Sequence, residues 1–236
     1  MIPKQKTKPT IKLGDQVITL YGMPKIGKST FASQFPGVLF AATEPGLNFI
    51  EAYQVPVNDW STFRNLCGLL ARDPQYVQTL VVDTIDILYL HCKAHICKEA
   101  GVMDPSDLSY GKGFGMVNNE FRRVLSKIGT LRTKKDGKLG LIMISHAKEV
   151  EIDTRTGKQM RWAPSPPASA RQIIEGMSDL LLFADVNEEG VRVLRTKPSP
   201  SWVAGDRSGR LADTMPLNYV ALASQFDDNK KKGETK

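Results

Sequence analysis

The segment GMPKIGKS, residues 22–29, constrains the fold more than any other part of the sequence. It follows the run QVITL, which is apolar enough to be a buried strand, and it precedes the apolar positions of a helix. Its two glycines let the backbone curl without Cβ clashes. A strand, a glycine-rich loop and a helix in this order predict an α/β fold with the loop at the carboxyl end of a strand.

The loop has the residue types that hold a polyphosphate. Its spacing is the G-x-x-x-x-G-K-[ST] pattern, in which backbone N–H groups point at the phosphates. We expect Lys28 to reach the β- and γ-phosphates, Ser29 to hold Mg²⁺ and the start of the helix to turn its positive end toward the anion. The predicted ATP-binding residues are Gly22, Met23, Pro24, Lys25, Ile26, Gly27, Lys28, Ser29 and Thr30. The sequence leaves another nucleoside triphosphate open.

Length and hydropathy predict one α/β domain that is cytoplasmic. The chain has 236 residues, contains no apolar run approaching the roughly 18 residues that span a membrane, and begins without the apolar core of a signal peptide. Its three cysteines are too few for a disulfide framework. The stretch HCKAHIC places two histidines one helical turn apart, but it lacks a second ligand cluster, so we interpret it as an ordinary helix.

The net charge of +7 arises in the two ends of the chain. Residues 1–12 contain four lysines and no acids, and residues 229–236 contain four lysines and one glutamate, so the charges between them cancel. We therefore predict a basic tail over 1–12, an ATPase domain over 13–226 and a basic tail over 227–236. Any DNA site in the domain must come from local clusters of basic residues.

Short apolar runs separated by helical stretches predict a mostly parallel sheet with helices on both faces. The predicted strands are VLFAA (Val38–Ala42), LVVDT (80–84), LIMIS (141–145) and LLLFADV (Leu180–Val186). A late region, VRVLRTKPSPSWVAG, alternates as a strand interrupted by two prolines and is expected to be antiparallel. Two stretches are predicted to be long and irregular: 101–115, before a helix that starts at residue 118, and 149–171, which includes a hairpin around 154–158.

Polar residues at strand ends complete a candidate hydrolytic site. Asp83 ends an apolar strand at the edge where the phosphate loop emerges, so it is the expected partner of Mg²⁺. Glu44 follows the strand after the first helix and could polarise the attacking water, with Glu51 and Glu99 as more distant alternatives. His146 follows LIMIS and could sense the γ-phosphate or be a plain polar residue at a strand end.

This order of elements is similar to the RecA-like recombinase core. More closely, LYGMPKIGKST, LVVDT, ISHAKEV and TKPSPSWVAGDRSGRL resemble the small phage-encoded RecA-like P-loop ATPases associated with single-strand annealing, over most of residues 11–222. The resemblance implies a DNA-stimulated ATPase that binds single-stranded DNA as a homo-oligomeric filament or ring. It leaves a single-strand DNA-binding protein open as a further partner.

The resemblance also implies roles for individual residues. Lys28 and Ser29 bind nucleotide and Mg²⁺, Asp83 completes the metal site, and Glu44 is the catalytic base. His146 stands where full-length recombinases usually have glutamine. The two irregular stretches correspond to DNA-binding loops, in which basic residues can follow phosphates and an aromatic ring can stack on a base. The implied DNA-binding residues are Lys112, Arg122, Arg123, Lys148, Arg155, Lys158, Arg161, Trp162 and Arg171.

The motif order places no arginine of the same subunit opposite the γ-phosphate, although phosphoryl transfer commonly uses one. In RecA-like filaments, paired basic residues on a late strand reach the neighbouring subunit's nucleotide. Arg195 and Lys197 are the corresponding catalytic candidates, and Arg207 and Arg210 are the second choice.

Two other functions share the same core. A helicase-like ring ATPase, acting as a motor or loader, is the main alternative to an annealing protein. A small-molecule kinase is less favoured, because no arginine-rich lid segment is evident and a glutamate follows the second strand.

Overall fold

The computed structural model describes residues 12–134, 137–154 and 157–227. Within these residues, ten strands form one sheet. The strands are β1 (Val17–Gly22), β2 (Val38–Ala42), β3 (Tyr53–Pro56), β4 (Thr79–Asp83), β5 (Gly140–Thr154), β6 (Gly157–Pro164), β7 (Leu180–Val186), β8 (Arg192–Arg195), β9 (Gly205–Asp206) and β10 (Thr214–Pro216). The α-helices are α1 (Lys28–Ser33), α2 (Trp60–Arg72), α3 (Ile85–Ala100), α4 (Lys112–Ile128), α5 (Ala168–Met177) and α6 (Tyr219–Ser224).

The strand order along the sheet is β10-β8-β7-β1-β5-β4-β2-β3. The six strands from β7 to β3 are parallel, while β8, β10 and β9 add an antiparallel region at the other side. The phosphate-loop strand β1 lies between β5 and β7, so the carboxyl ends of β5, β4 and β2 converge on one side of the loop. The predicted fold class is confirmed, including the late antiparallel region.

Alternation along the strands supplies an apolar core on both faces of the sheet. In β4, Leu80 and Val82 pack with α2, α3, α4 and α5, whereas Val81 points to the opposite face with Phe31 of α1 and Leu222 of α6. All five side chains are buried. The helices on both faces hold the sheet edge that carries the polar strand ends.

The segment after LIMIS is more regular than predicted. Strand β5 continues for fifteen residues, and its second half pairs with β6 in an antiparallel hairpin that runs from the pair Ala147–Pro164 to the pair Thr154–Gly157. Helix α5 follows. The prediction of a long irregular stretch over 149–171 is therefore wrong, although the hairpin within it was expected, because continuous pairing satisfies the backbone that a loop would expose.

The first irregular stretch is also shorter than predicted. Two 3₁₀ turns, Pro105–Asp107 and Ser109–Gly111, lead into α4, which begins at Lys112 rather than at residue 118. Gly113 lies inside this helix, and a Cβ there would be 2.2 Å from the carbonyl oxygen of Pro105. Its glycine therefore reflects close helix-to-turn packing and not a loop.

Two further differences concern strands. The short edge strand β3 was not predicted, and β8 ends at Arg195, so Lys197 lies beyond the strand. Most of the two predicted basic tails lies outside the described residues, as does Arg155. In the part of the chain that the structure describes, no helix is long and apolar enough to cross a membrane.

Candidate functional site

The phosphate loop leaves β1 at Gly22 and enters α1 at Lys28. At Gly22, a Cβ would lie 2.6 Å from the carbonyl oxygen of Ala184 in β7, so glycine allows the two strands to approach. Gly27 has φ +108°, in the region that favours glycine. Both glycines of the motif are therefore required by the backbone of the loop.

The Lys28 side chain folds back over this loop. Its Nζ donates to the carbonyl oxygens of Gly22 and Met23, each at 2.9 Å, and the residue is only 6% exposed. Burial lowers the pKa of the Lys28 ammonium, and the nearby carboxylates of Asp83, Asp86 and Glu44 oppose that shift. A buried cation inside a loop of backbone amides is suited to a polyphosphate.

Ser29 and Asp83 are joined directly across the cleft. Ser29 Oγ donates to Asp83 Oδ2 at 2.6 Å. Asp83 is the last residue of β4, and burial raises the pKa of its carboxyl group, while the Ser29 hydrogen bond opposes the rise. A hydroxyl and a carboxylate oxygen are ligands that Mg²⁺ accepts.

These donors fit Mg²⁺ bound together with phosphates. Across the described residues, no group of three or more His, Cys, Asp or Glu side chains is placed to hold a metal ion alone. Mg²⁺ in phosphate-transfer sites is usually held by one or two protein oxygens plus phosphate oxygens and water. The HCKAHIC histidines instead lie on α3, where His95 Nε2 is 3.3 Å from Glu99.

Glu44 faces the same cleft from the end of β2. Its Oε1 accepts a hydrogen bond from Thr84 Oγ1 at 2.6 Å. Thr43 and Thr84 join the two strand ends, since the Thr84 N–H donates to Thr43 Oγ1 at 2.7 Å and the Thr43 N–H donates to the Asp83 carbonyl at 2.8 Å. The Glu44 carboxylate is therefore held in position while its second oxygen remains available to orient water.

His146 is held by Asp86, a residue in the first turn of α3. The imidazole Nδ1 lies 3.0 Å from Asp86 Oδ2, and the His146 backbone N–H donates to the same oxygen at 2.8 Å. Ser145 Oγ donates to the other carboxylate oxygen at 2.6 Å. The hydrogen bond to Asp86 raises the pKa of the His146 imidazole, and burial opposes the rise.

One cleft of about 560 Å³ unites these groups. It is lined by the loop and helix residues Pro24, Lys25, Gly27, Lys28, Ser29 and Thr30, by Glu44, Pro45, Gly46, Phe49 and Ile50, and by Asp83, Thr84 and His146. The structure thus brings together the predicted loop, metal, base and sensor residues. The carboxylates of Glu44 and Asp83 therefore line the same cleft as the loop.

The predicted DNA residues lie on three elements. Lys112, Arg122 and Arg123 are exposed on α4, and the Arg123 guanidinium donates twice to Glu120, at 2.8 and 2.9 Å. Arg171 lies on α5 with its Nε 3.8 Å from Glu175. The α4 residues are therefore separate in the fold from the hairpin residues, and their DNA contacts remain a prediction.

The hairpin places its basic residues on different faces. Register puts Lys148 and Arg161 on one face, and Lys158 and Trp162 on the other. Lys158 forms an ion pair with Glu151. Trp162 is half-buried against the Tyr21, Leu181 and Phe183 cluster, so its ring packs on its own domain in this structure.

All four candidates for a finger between subunits have partners within the chain. Arg195 Nε lies 3.1 Å from Asp185 and its guanidinium stacks 5.1 Å from the Trp202 ring centre, while Lys197 is 3.5 Å from Asp206. Arg207 lies 3.8 Å from Asp179, and Arg210 lies over the Phe226 ring. A role at a neighbouring subunit remains a prediction.

Sequence reasoning missed Asp86, which fixes His146, and Thr84, which fixes Glu44. The sequence could have indicated Thr84 as a site residue, because it directly follows Asp83 at the same strand end. Asp86 had a weaker signal, an acidic residue in the first turn of a helix, where many acids serve only as helix-end charges.

Comparison with known proteins adds family information. A family model described as an AAA domain matches residues 15–208. The chain is 25% identical over 203 residues to the SPbeta prophage-derived uncharacterized protein YorG of Bacillus subtilis (strain 168). The aligned residues cover 81% of this chain and 57% of that relative. The chain therefore spans little more than half of that relative's length. Among solved structures, a prototypical ATPase from the type III secretion system of pathogenic bacteria matches 72% of this chain and 52% of its own, with a TM-score of 0.45 and 11% identity.

Proposed function

The chain belongs to the AAA domain family of P-loop ATPases, and we propose that it is an ATP-dependent recombination protein that binds and anneals single-stranded DNA. In this proposal the protein assembles on DNA as a homo-oligomer and hydrolyses ATP with Mg²⁺. It is encoded by a phage and acts in the cytoplasm of the host cell. The resemblance of LYGMPKIGKST, ISHAKEV and the late GDRSGRL segment to phage annealing ATPases supports it.

The observation that carries the proposal is the junction between the nucleotide cleft and the hairpin. His146 lines the cleft, and the first hairpin pair, Ala147 with Pro164, follows it immediately. The Ser165 N–H donates to the His146 carbonyl at 2.9 Å, so both hairpin strands are fixed at this point. A DNA-binding hairpin here would respond to the nucleotide through one residue.

One face of the hairpin is better suited to phosphate than the other. The exposed carboxylates of Glu149, Glu151 and Asp153 share a face, whereas Lys148 and Arg161 lie on the opposite one. The Nε of Arg161 is buried and has no hydrogen-bond partner among the described residues. We therefore place the DNA backbone on the Lys148 and Arg161 face. Lys158 lies on the opposite face, where it pairs with Glu151.

The hydrolytic step follows from the cleft. Lys28 and the loop amides hold the β- and γ-phosphates, and Glu44, fixed by Thr84, orients and deprotonates the attacking water. Bound Mg²⁺ would supply charge neutralisation of the phosphate oxygens, and Ser29 and Asp83 would hold it.

The deciding experiment measures ATP hydrolysis with and without single-stranded DNA, together with annealing and unwinding of labelled strands. The proposal predicts stimulated hydrolysis and ATP-dependent annealing without unwinding. Unwinding would favour the helicase-like ring ATPase, and phosphate transfer to a small molecule would favour a kinase. Negative-stain imaging with ATP and DNA tests assembly.

A hairpin variant tests whether the hairpin contacts DNA. Replacing Arg155, Lys158 and Arg161 together with glutamine should weaken DNA binding and flatten its salt dependence, because each lost phosphate contact lowers the logarithmic slope by about 0.7. Basal hydrolysis should survive. Replacing the exposed Lys98 of α3 is the matched control. Equal salt slopes for the triple variant and the parent would show that the hairpin does not contact DNA.

A further inference from the structure

Arg192 lies beside the phosphate loop, although the sequence indicated no arginine there. It is the first residue of β8 and pairs with Val186 at the carboxyl end of β7. The turn between these strands therefore lies at the same sheet edge as the loop that follows β1. The guanidinium Nη1 of Arg192 is 3.4 Å from the position that a Cβ on Gly27 would occupy.

Strand alternation explains why this arginine, and not Arg195, reaches the loop. Leu194, two residues after Arg192, is buried with Ile26 and Phe31 on the α1 face of the sheet. Arg192 shares that face. Arg195 projects to the opposite face, where it contacts Trp202.

The Arg192 charge is not neutralised by a neighbour. Within the described residues, its side chain makes no hydrogen bond or ion pair. Asp185, the acid nearest along the paired strand, is already bonded to Arg195 at 3.1 Å. The exposed Glu188 and Glu189 of the intervening turn form no ion pair with it either. An exposed arginine beside a loop of backbone amides is suited to bind an anion.

The position of Arg192 indicates which part of a nucleotide it would reach. The cleft that contains Glu44, Asp83 and His146 is not lined by Arg192. Arg192 instead lines a neighbouring cavity of about 380 Å³ with Met23, and Pro24 and Lys25 line both spaces. It therefore lies away from the groups placed to act on the terminal phosphate.

We propose that Arg192 binds the α- and β-phosphates of the nucleotide held by its own subunit's phosphate loop. The inference rests on the nucleotide-binding part of the proposed function and does not depend on DNA. Because ATP and ADP share these two phosphates, Arg192 should contribute equally to the binding of both. It is a nucleotide-affinity residue, distinct from a finger that acts only on the γ-phosphate of a neighbour.

The test is the affinity of Arg192→Ala for ATP and ADP, measured without DNA by displacement of a fluorescent ADP analogue. Both dissociation constants should rise by a similar factor of about 10 to 100, the range for a hydrogen bond to a charged group. Arg192→Lys should recover part of the affinity, and Arg72→Ala, an exposed arginine at the end of α2, should leave both constants unchanged.

Unchanged ADP affinity in Arg192→Ala would overturn the assignment, as would a loss restricted to ATP, which indicates a γ-phosphate contact. Equal melting temperatures without nucleotide would confirm that the variant folds. A failure of DNA stimulation would contradict only the recombination proposal, since every affinity in this test is measured with DNA absent.

Discussion

Asp86 fixes both the ring and the backbone of His146. One carboxylate oxygen lies 3.0 Å from the imidazole Nδ1 and accepts the His146 N–H at 2.8 Å. His146 also lines the cleft that contains Lys28 and Asp83. Because the hydrogen bond to Asp86 raises the His146 pKa, the imidazolium persists to higher pH than that of a free histidine.

The first prediction is a pH dependence of hydrolysis set by this pair. If the imidazolium contacts the γ-phosphate, kcat/KM should fall as pH rises through the folded-state pKa of His146. Asp86→Asn should move that fall to lower pH, because it removes the group that raises the pKa. The measurement is a pH–rate profile, with the His146 ring titrated by NMR.

Stability should depend on pH in the same sense. A raised histidine pKa stabilises the folded state fully below the unfolded pKa of about 6.5, and the contribution is lost as pH rises through the folded value. Asp86→Asn should reduce this dependence of stability on pH.

For the hydrolysis prediction, a pH–rate profile of His146→Gln with the same alkaline fall as the parent would contradict the assignment of that fall to His146.

The second prediction separates nucleotide binding from hydrolysis. Glu44→Gln should keep ATP binding and lower turnover by about 10²–10⁴, because it preserves the hydrogen bond from Thr84 but removes the base. Lys28→Ala should instead weaken binding of the triphosphate itself. Equilibrium binding and steady-state turnover distinguish the two, and unchanged turnover in Glu44→Gln would remove Glu44 from its role.

The third prediction concerns the metal. Ser29→Ala and Asp83→Asn should each raise the Mg²⁺ concentration needed for half-maximal hydrolysis, since each removes one of two oxygens that lie 2.6 Å apart. Removal of Mg²⁺ with EDTA should stop hydrolysis in the parent. Mg²⁺ titrations provide the measurement, and identical curves for Asp83→Asn and the parent would exclude Asp83 as a ligand.

The fourth prediction is that a neighbouring subunit completes the site. A Lys28→Ala subunit is mixed with a subunit in which Arg195 and Lys197 are both replaced by alanine. If the finger acts between subunits, interfaces with an intact loop and an intact finger should restore part of the DNA-stimulated activity. No recovery despite demonstrated co-assembly would contradict it. Because Arg195 also pairs with Asp185, the melting temperature of the double variant must be measured.

The fifth prediction is structural. Tyr21 is fully buried in β1, directly before the phosphate loop, and its hydroxyl contacts the carbonyl oxygens of Val203 and Trp162. Tyr21→Phe should lower the free energy of unfolding by about 0.5–1.5 kcal/mol, because it removes the hydroxyl that donates to these carbonyls, while the Trp162 carbonyl still accepts from the Val203 N–H at 2.9 Å. Chemical denaturation measures the change, and Tyr76→Phe, at an exposed site, is the matched control. Equal stability of Tyr21→Phe and the parent would contradict the role of this hydroxyl.

The parts of the site that follow strand ends could be predicted from the sequence. The phosphate loop has a short motif, and Asp83, Glu44 and His146 each follow an apolar run, so a parallel sheet brings them to one edge. This rule needs only local patterns and the direction of the strands. The cleft around these residues agrees with it.

The remaining parts depend on register, which no short pattern reveals. Arg192 reaches Gly27 only because β8 pairs antiparallel with β7 and starts at its carboxyl end. The length of β5 was underestimated because its polar second half lacks the apolar signature of a buried strand. Gly113 indicated a loop because glycine is common in loops. In the structure it lies in a helix, and its close packing against Pro105 explains why the residue is glycine.

Strand β5 is continuous from Gly140 in the centre of the sheet to Thr154 in the last hairpin pair. A rotation of the hairpin about His146 would therefore move this far pair the most. The eight paired positions beyond His146 span about 26 Å at about 3.3 Å per residue, so a tilt of roughly 5° would displace the tip by about 2 Å. If a hydrogen bond between His146 and the γ-phosphate tilts the hairpin, the far pair should therefore move much farther than His146 itself.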